Sequence, residues 1–315
     1  MGVFGQIKND SVFSASEIIL KTSTGDISGT LTIPNNAKTT PIVLIIAGSG
    51  PTNRDCNSTM GLHTNAYKML SEGFAKNGIS SLRFDKRGIG KSTAAMTKES
   101  DLRFETYIND VKDWISLLKA DKRFSKIIVL GHSEGSLIGI IAAEQTNIGG
   151  FISIAGAGSS ADKILEEQLK TKLPPQLLQE SNKILDSLRA GKTVSNVDQN
   201  LAVLYRPSVQ PYIISWIKYD PAKEISKLKI PALIIQGTTD LQVTMNDAKL
   251  LSASKPDAKL IIIENMNHVL KESGNDNQKN LATYTNPDIP LKAGLVDDMV
   301  NFIKVPPVLI PISIK

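Results

Sequence analysis

The sequence predicts an α/β protein with a mostly parallel central sheet that helices cover on both faces, and three observations lead to this prediction. The chain is long and of ordinary globular composition, with 315 residues of which 41% are apolar and 21% charged. Short runs rich in Ile, Val and Leu recur at residues 42–46, 81–84, 127–130, 151–154, 233–235 and 260–263. Helical patterns lie between most of these runs, for example over 64–76, 104–119 and 134–145. Such alternation is typical of buried parallel strands that are joined by crossover helices.

The first element departs from this alternation. Residues 17–20 and 26–33 are separated by Ser23-Thr24-Gly25, which suits an antiparallel hairpin before the first parallel strand. We expect this hairpin to form an edge of the sheet.

The alternation breaks again between about residues 159 and 220. This part is rich in Leu, Lys and Gln, and Pro174-Pro175 divides two helical patterns. We therefore expect a core formed by residues 1–158 and 221–315, with residues 159–220 inserted as a helical cap. The last predicted helix covers residues 294–304, and an irregular end follows from Val305.

Charge, cysteine content and hydropathy exclude several classes of protein. The net charge is +5, but the basic residues alternate with acids and form no stripe, so we expect no nucleic-acid partner. The single cysteine, Cys56, excludes an internal disulfide and fits a reducing compartment. No apolar run approaches membrane-spanning length. We expect a soluble protein, cytoplasmic for the chain as given, or periplasmic or secreted if a leader peptide was removed; the oligomeric state stays open.

The segment Gly131-His132-Ser133-Glu134-Gly135 matches G-x-S-x-G. It directly follows a predicted strand and directly precedes a predicted helix, which is the context that a nucleophilic serine on a sharp turn requires. Glycine on either side leaves room for that turn, and the helix N-terminus favours negative charge beside the serine. We therefore predict Ser133 as a nucleophile.

A serine hydroxyl needs a base within hydrogen-bond reach, and the chain has three histidines, His63, His132 and His268. His132 adjoins the serine, so its side chain should point away from the hydroxyl, and His63 precedes the first helix. His268 follows the strand at 260–263, at the same carboxyl edge of the sheet as Ser133. We predict His268 as the general base.

A carboxylate should hold the imidazole in the correct tautomer. Asp240 follows the strand at 233–235, again at a carboxyl edge, and gives the chain order Ser133, Asp240, His268. Asp247 and Glu264 are the competing acids, one on the following helix and the other at a strand end.

Acyl transfer also needs two N–H donors for a developing oxyanion. The residue after the nucleophile, Glu134, supplies one. The second should come from the exit of the first parallel strand, Ala47-Gly48-Ser49-Gly50-Pro51, where Ser49 is our preferred donor and Gly50 the competitor.

Two other motifs are misleading. The segment from Asp85 to Ser92, DKRGIGKS, ends like a phosphate-binding loop but has Asp85 in place of the first glycine. Gly48-Ser49-Gly50 begins a dinucleotide fingerprint, but Asn53 replaces its third glycine. The histidines are far apart, so the sequence predicts no metal site and no cofactor.

Several segments carry a family resemblance together, in the order AGSGPTNRD (47–55), RFDKRGIGKS (83–92), GHSEG (131–135), QGTTD (236–240) and NH (267–268). With them the chain resembles the α/β-hydrolase superfamily, specifically the bacterial serine aminopeptidase-like esterases that carry a helical cap. The resemblance implies a two-step acyl-enzyme mechanism without a cofactor, and a pocket between the carboxyl edge of the sheet and the cap. Two departures are Ala47, where many relatives have histidine, and Cys56, at a place that is often glycine.

The resemblance leaves the substrate open, because relatives include esterases, peptidases, thioesterases and lipases. Our leading hypothesis is a carboxylesterase that acts on small-molecule esters with short to medium acyl chains. The alternatives are an aminopeptidase-like serine peptidase, a thioesterase, and a catalytically silent protein that binds a ligand. Candidate substrate-lining residues are Gly50 and Arg54 near the predicted oxyanion turn, and Trp216 and Tyr219 where the cap returns to the core.

Overall fold

The computed structural model describes residues 12–35 and 37–304, which contain one eight-stranded sheet. Its strands are β1 (Phe13–Thr22), β2 (Gly25–Pro34), β3 (Thr40–Ile46), β4 (Ser80–Phe84), β5 (Phe124–His132), β6 (Gly150–Ile154), β7 (Ala232–Gly237) and β8 (Lys259–Ile263). Their order across the sheet is β1-β2-β4-β3-β5-β6-β7-β8. The pairs from β4 through β8 are all parallel, so the predicted α/β architecture is confirmed.

The predicted opening hairpin is also confirmed. β1 pairs antiparallel with β2 along its whole length, from Phe13 opposite Pro34 to Thr22 opposite Gly25. β2 then pairs antiparallel with β4, which leaves β1 at the edge of the sheet.

Helices follow most strands along the chain. They are α1 (Ala66–Lys76), α2 (Phe104–Ala120), α3 (Glu134–Glu144), α4 (Ala161–Lys170), α5 (Pro175–Arg189), α6 (Ala202–Tyr205), α7 (Gln210–Trp216), α8 (Pro221–Ser226), α9 (Met245–Ser254), α10 (Asn277–Ala282) and α11 (Leu295–Lys304). Short 3₁₀ helices span Gly90–Ala95, Glu99–Asp101 and Thr283–Thr285.

Two apolar layers form because successive side chains of a strand point to opposite faces of the sheet. In β3, Leu44 and Ile46 belong to the layer beneath α2 and α3. Val43 and Ile45 belong to the opposite layer, beneath α1 and α11. Strands that are buried on both faces need apolar residues at every position, which explains the continuous apolar runs in the sequence.

The segment between β6 and β7 contains α4 to α8. Helices α4 to α7, the inserted helices, share a small apolar cluster of their own. Its fully buried members are Leu185, Leu188, Leu201 and Tyr205. α7 also contacts the core, where Ser215 Oγ accepts a hydrogen bond from the N–H of Phe104 at 2.8 Å. The division of the chain into a core and a cap domain stays a prediction.

Within residues 12–35 and 37–304, no helix is both long and apolar enough to cross a bilayer. The irregular end that we predict from Val305 lies outside the described residues.

Candidate active site

The predicted nucleophile lies on a sharp turn between a strand and a helix. β5 ends at His132 and α3 begins at Glu134, so Ser133 alone makes the turn. Its backbone has φ 55° and ψ −122°, a conformation that residues with a side chain rarely adopt. The Ser133 N–H donates to the carbonyl of Ile154 at 3.0 Å, which fixes the turn against β6.

The glycines on either side of this turn have no room for a side chain. A Cβ on Gly131 would lie 2.2 Å from the carbonyl oxygen of Gly135, and a Cβ on Gly135 would lie 2.5 Å from that of Ile46. Both contacts are with backbone atoms, which cannot move aside as a flexible side chain can. The G-x-S-x-G pattern is therefore a steric requirement of this turn.

The predicted base and acid contact each other. His268 Nδ1 lies 2.8 Å from Asp240 Oδ2, and both side chains are largely buried. The other carboxylate oxygen of Asp240 accepts hydrogen bonds from the N–H groups of Gln242 at 2.8 Å and Val243 at 3.0 Å. Burial acts to raise the pKa of Asp240, but His268 and these backbone donors outweigh it and hold the pKa below its usual value. The carboxylate is thus kept charged beside the imidazole.

His132 makes a buried contact of its own, away from the serine hydroxyl. Its Nε2 lies 2.8 Å from the carbonyl oxygen of His268 and its Nδ1 lies 2.7 Å from the Tyr67 hydroxyl. A carbonyl can only accept, so Nε2 carries the proton and donates. Burial lowers the pKa of His132 to about 3, so the ring is neutral and Nδ1 accepts from Tyr67.

This contact brings the turn at Ser133 next to the segment that carries His268. The rings of His132 and His268 have centroids 4.7 Å apart. No hydrogen bond joins the Ser133 hydroxyl directly to His268 in the described structure. Catalytic hydrogen bonds are often long without substrate and shorten when it binds.

Asn267 holds the His268 segment through its side chain, a role that no local sequence pattern indicates. Its side chain donates to Asn280 at 3.0 Å and to Thr283 at 2.7 Å. Its side-chain oxygen also accepts from the N–H of Lys271 at 3.0 Å. The loop that carries the predicted base is therefore tied to α10.

The predicted oxyanion donors flank the serine. The N–H of Glu134 is at the first position of α3. The exit of β3 approaches from the other side, because a Cβ on Gly48 would lie only 3.2 Å from the Cβ of Ser133. Ser49 and Gly50 are both exposed, and Gly50 has φ 72°. The choice between Ser49 and Gly50 stays a prediction.

A buried polar network connects these two predicted donors, although no local sequence pattern indicates it. Lys86, which follows β4, donates from Nζ to the carbonyl oxygen of Gly48 at 2.6 Å and to the carboxylate of Glu134 at 2.8 Å. Tyr212 of α7 donates its O–H to the other carboxylate oxygen of Glu134 at 2.6 Å.

Three of the predicted substrate-lining residues have contacts elsewhere. Arg54 forms a buried ion pair with Asp85, with 2.8 Å between Nη2 and Oδ2. Trp216 stacks on Phe104 of α2, and the Tyr219 hydroxyl donates to Glu105 of the same helix. These contacts give no support to a substrate-lining role for Arg54, Trp216 or Tyr219. The space beside Gly50 is open, because a Cβ at this position would meet no atom within 4 Å. Its substrate-lining role stays a prediction.

The segment that resembles a phosphate-binding loop already holds an internal anion. The Asp85 carboxylate accepts from the N–H of Lys91 at 3.0 Å and from that of Arg54 at 2.8 Å. A Cβ on Gly90 would lie 2.6 Å from this carboxylate. Asp85 thus occupies the position that would have to receive a phosphate.

The competing residues lie outside this arrangement. Asp247 forms a capping box with Thr244 at the start of α9, and its carboxylate accepts a hydrogen bond from the N–H of Gly158 at 3.0 Å. Glu264 is exposed. His63 is exposed and forms an isolated bridge with Asn57.

Burial raises the pKa of the Cys56 thiol to about 11, which disfavours a reactive thiolate. Residues 12–35 and 37–304 contain no cluster of three or more potential metal ligands.

An open cavity of about 670 Å³ lies beside the predicted oxyanion turn. It begins at Pro51 and runs between the loop that follows β3 and the loop that follows β4; its lining includes Asn53, Leu62, His63 and Ile89. The predicted catalytic side chains do not line it. A pocket between the sheet and the inserted helices therefore stays a prediction.

The chain is similar to known hydrolases in sequence and in structure. Residues 58–273 match a family model described as "Serine aminopeptidase, S33". Over 257 residues, the chain is 28% identical to Esterase EstD of Thermotoga maritima; the match covers 77% of this chain but only 57% of that protein. The chain therefore spans little more than half the length of this curated relative.

Two solved structures illustrate the likeness of the fold. Est1E from Butyrivibrio proteoclasticus, in a structure with bound ferulic acid, matches with a TM-score of 0.58 and 19% identity over 84% of this chain and 94% of that chain. The α/β hydrolase GrgF from Penicillium sp. sh18 matches with a TM-score of 0.58 and 17% identity over 81% and 91%. With the α/β-hydrolase fold and a family match that covers most of its length, the chain belongs to the serine aminopeptidase S33 family.

Proposed function

We propose that the protein is a carboxylic ester hydrolase that forms an acyl-enzyme on Ser133, with His268 as general base and Asp240 as its partner. One observation carries this proposal: the His268–Asp240 hydrogen bond of 2.8 Å lies at the same sheet edge as the strained turn at Ser133. The name of the relative Esterase EstD supports ester chemistry.

The mechanism follows from the roles of these groups. His268 takes the proton from the Ser133 hydroxyl as the oxygen attacks the ester carbonyl, and Asp240 stabilises the resulting imidazolium. The N–H groups of Glu134 and Ser49 donate to the oxyanion of the tetrahedral intermediate. The imidazolium then protonates the departing alcohol. Water, activated by the same histidine, hydrolyses the acyl-enzyme, so the cycle requires no cofactor.

Short to medium acyl chains are the proposed substrates, and an aminopeptidase-like activity is the second candidate because of the family description. An aminopeptidase needs a carboxylate for the substrate ammonium. Two carboxylates that contact the inserted helices are already paired, Glu134 with Lys86 and Glu99 with Arg206. These two carboxylates are therefore not free to bind a substrate ammonium. A thioesterase would use the same serine and remains a substrate alternative.

Hydrolysis of p-nitrophenyl acetate and butyrate by the wild type and by Ser133→Ala tests the proposal. Loss of the nucleophile should lower kcat on the order of 10⁴- to 10⁶-fold. Ser136→Ala is the matched control, because it removes a buried serine of α3 that bonds to Ser153 at 2.7 Å. We expect the control to keep most of its activity.

Three results would count against the proposal in different ways. Ester hydrolysis that persists in Ser133→Ala would exclude the assigned nucleophile. Faster release of arylamines from aminoacyl substrates than of p-nitrophenol would favour the peptidase. Absence of fluorophosphonate labelling at Ser133 in folded protein would support a silent binding protein.

A further inference from the structure

We infer that Lys86 is a positioning residue for the oxyanion site, whose ammonium group orients and polarises the peptide that carries the Ser49 N–H. This inference rests on the proposed function and names a residue that acts through the backbone. It follows from the buried network that links Lys86 to Gly48 and Glu134.

The Lys86 ammonium is deeply buried between its two acceptors. The side chains of Lys86 and Glu134 are only 2% and 3% exposed. Nζ lies 2.6 Å from the carbonyl oxygen of Gly48 and 2.8 Å from Oε2 of Glu134. Hydrogen bonds from a charged donor in such surroundings are short and strong.

The carbonyl of residue 48 and the N–H of residue 49 belong to the same peptide group. A trans peptide is planar, with its C=O and N–H pointing in opposite directions. When Lys86 fixes the direction of the Gly48 carbonyl, it therefore also fixes the direction of the Ser49 N–H. A cation on the carbonyl oxygen also polarises the peptide and makes its N–H a stronger donor. The contact favours Ser49 over Gly50 as the second oxyanion donor.

The preceding peptide is held as well. The N–H of Gly48 donates to the Tyr67 hydroxyl at 3.2 Å, and the same hydroxyl bonds to His132. A side chain at position 48 would approach Ser133 and His132 within 3.2 and 3.3 Å. Tyr67 thus holds the peptide before Gly48 and Lys86 holds the peptide after it. Without Lys86, the peptide that carries the Ser49 N–H loses this constraint.

The ion pair between Glu134 and Lys86 connects both predicted oxyanion donors. Its N–H is the first predicted donor, and its carboxylate anchors Lys86, which orients the second. Tyr212 of α7 completes the network through a 2.6 Å bond to the same carboxylate. A buried ion pair contributes little stability compared with an apolar pair of similar volume, so stability alone is a weak reason for charges here.

Steady-state kinetics of Lys86→Met with p-nitrophenyl butyrate test this inference, alone and combined with Glu134→Gln so that no carboxylate is left unpaired. Removal of one oxyanion donor typically costs 10²- to 10³-fold in kcat. Here the donor is misdirected rather than deleted, so we expect kcat to fall about 10- to 100-fold, with KM changed less than about threefold. Labelling of Ser133 by a fluorophosphonate should slow in parallel. Lys86→Arg, which keeps the charge, should recover part of the loss.

Arg87→Met combined with Asp110→Asn is the matched control. Arg87 is the next residue, is also buried, and pairs with Asp110 of α2 at 2.5 Å. This variant should lose stability but keep kcat within about twofold, because its ion pair does not contact the oxyanion turn. A loss of kcat in the Lys86 variants no larger than in this control would overturn the inference.

Lys86→Gln keeps the inference testable if Lys86→Met does not fold. It retains a donor without the charge on a shorter side chain, so kcat should still fall. An unchanged kcat in this variant would overturn the role inferred for the ammonium group. Ser133→Ala, measured in parallel, separates the two proposals. Activity that survives Ser133→Ala refutes the proposed function itself, whereas activity that needs Ser133 but not Lys86 refutes only the role of Lys86.

Discussion

Backbone strain at Ser133 is the clearest link between one residue and the proposed chemistry. Its φ of 55° and ψ of −122° are values that glycine tolerates and other residues rarely adopt. The hydrogen bond from Ser133 to Ile154 and the close approach of the Gly131 backbone to the Gly135 backbone hold the turn in this conformation. Such strain is typical of functional sites, where it costs on the order of 1–3 kcal/mol.

Ser133→Gly should therefore be more stable than Ser133→Ala. Glycine relieves the strain but loses more entropy on folding, so the net difference should be about 1 kcal/mol in favour of glycine. Urea unfolding of both variants measures it. The same comparison at Ser136, inside α3, should have the opposite sign, with glycine less stable by about 0.5–1 kcal/mol. Equal stability of the two Ser133 variants would mean that the turn is not strained.

The other predicted site residues differ in how far the sequence could identify them. Ser133, Asp240 and His268 each directly follow or closely follow a strand, and local patterns locate strand ends. Arg54 pairs with Asp85, 31 positions away in the chain, and its substrate-lining role stays a prediction. No local pattern reveals such a partner.

Among the elements, the segment that carries His268 depends on a buried lysine. The Lys271 side chain is fully buried and donates from Nζ to Met69 Sδ at 3.1 Å and to the carbonyl oxygen of Ile289. Burial lowers the pKa of Lys271 from 10.5 to about 8. At a pH between these two pKa values, Lys271 is protonated in the unfolded chain but not in the folded protein.

Stability should therefore rise with pH between about 8 and 10.5 through Lys271, and this contribution should be lost as the pH falls through that window. The size of the effect is at most on the order of 3 kcal/mol. Lys271→Met should lack this rise, which urea unfolding at a series of pH values would measure as a difference from the wild type. Lys279→Met, at an exposed position of α10, should retain it. Parallel pH profiles for the wild type and Lys271→Met would contradict the prediction.

The strands and the main helices were predictable from the sequence because their signals are local. Apolar runs give the strands that are buried on both faces, and the 3.6-residue period gives the helices between them. The contacts that organise the site are of another kind. Tyr67 bonds to a histidine 65 positions away, and Lys86 to a glutamate 48 positions away. Only the folded arrangement of the strands brings these residues together.

At the scale of the whole molecule, the apolar interior has three parts. Two are the layers on either side of the sheet, and the third is the cluster of α4 to α7. The third cluster joins the core at α7, where Tyr212 packs against Phe104 and Tyr107 of α2 and bonds to Glu134. Because Tyr212 also belongs to the layer beneath α2 and α3, α7 links the inserted helices to that layer, whereas the buried leucines of α4 and α5 pack within the third cluster.

Hydrogen exchange should reveal this separation. Leu185 of α5 is fully buried in the third cluster, and Leu185→Ala should cost about 2–5 kcal/mol of local packing. Because that loss is confined to the inserted helices, exchange should rise in α4, α5 and α7 while β3 and β5 stay protected. Leu233→Ala, in the buried strand β7, is the control and should weaken the sheet as a whole. If Leu185→Ala raised exchange equally in β3 and β5, the inserted helices and the sheet would form one cooperative unit, and a cap that opens by itself would be excluded.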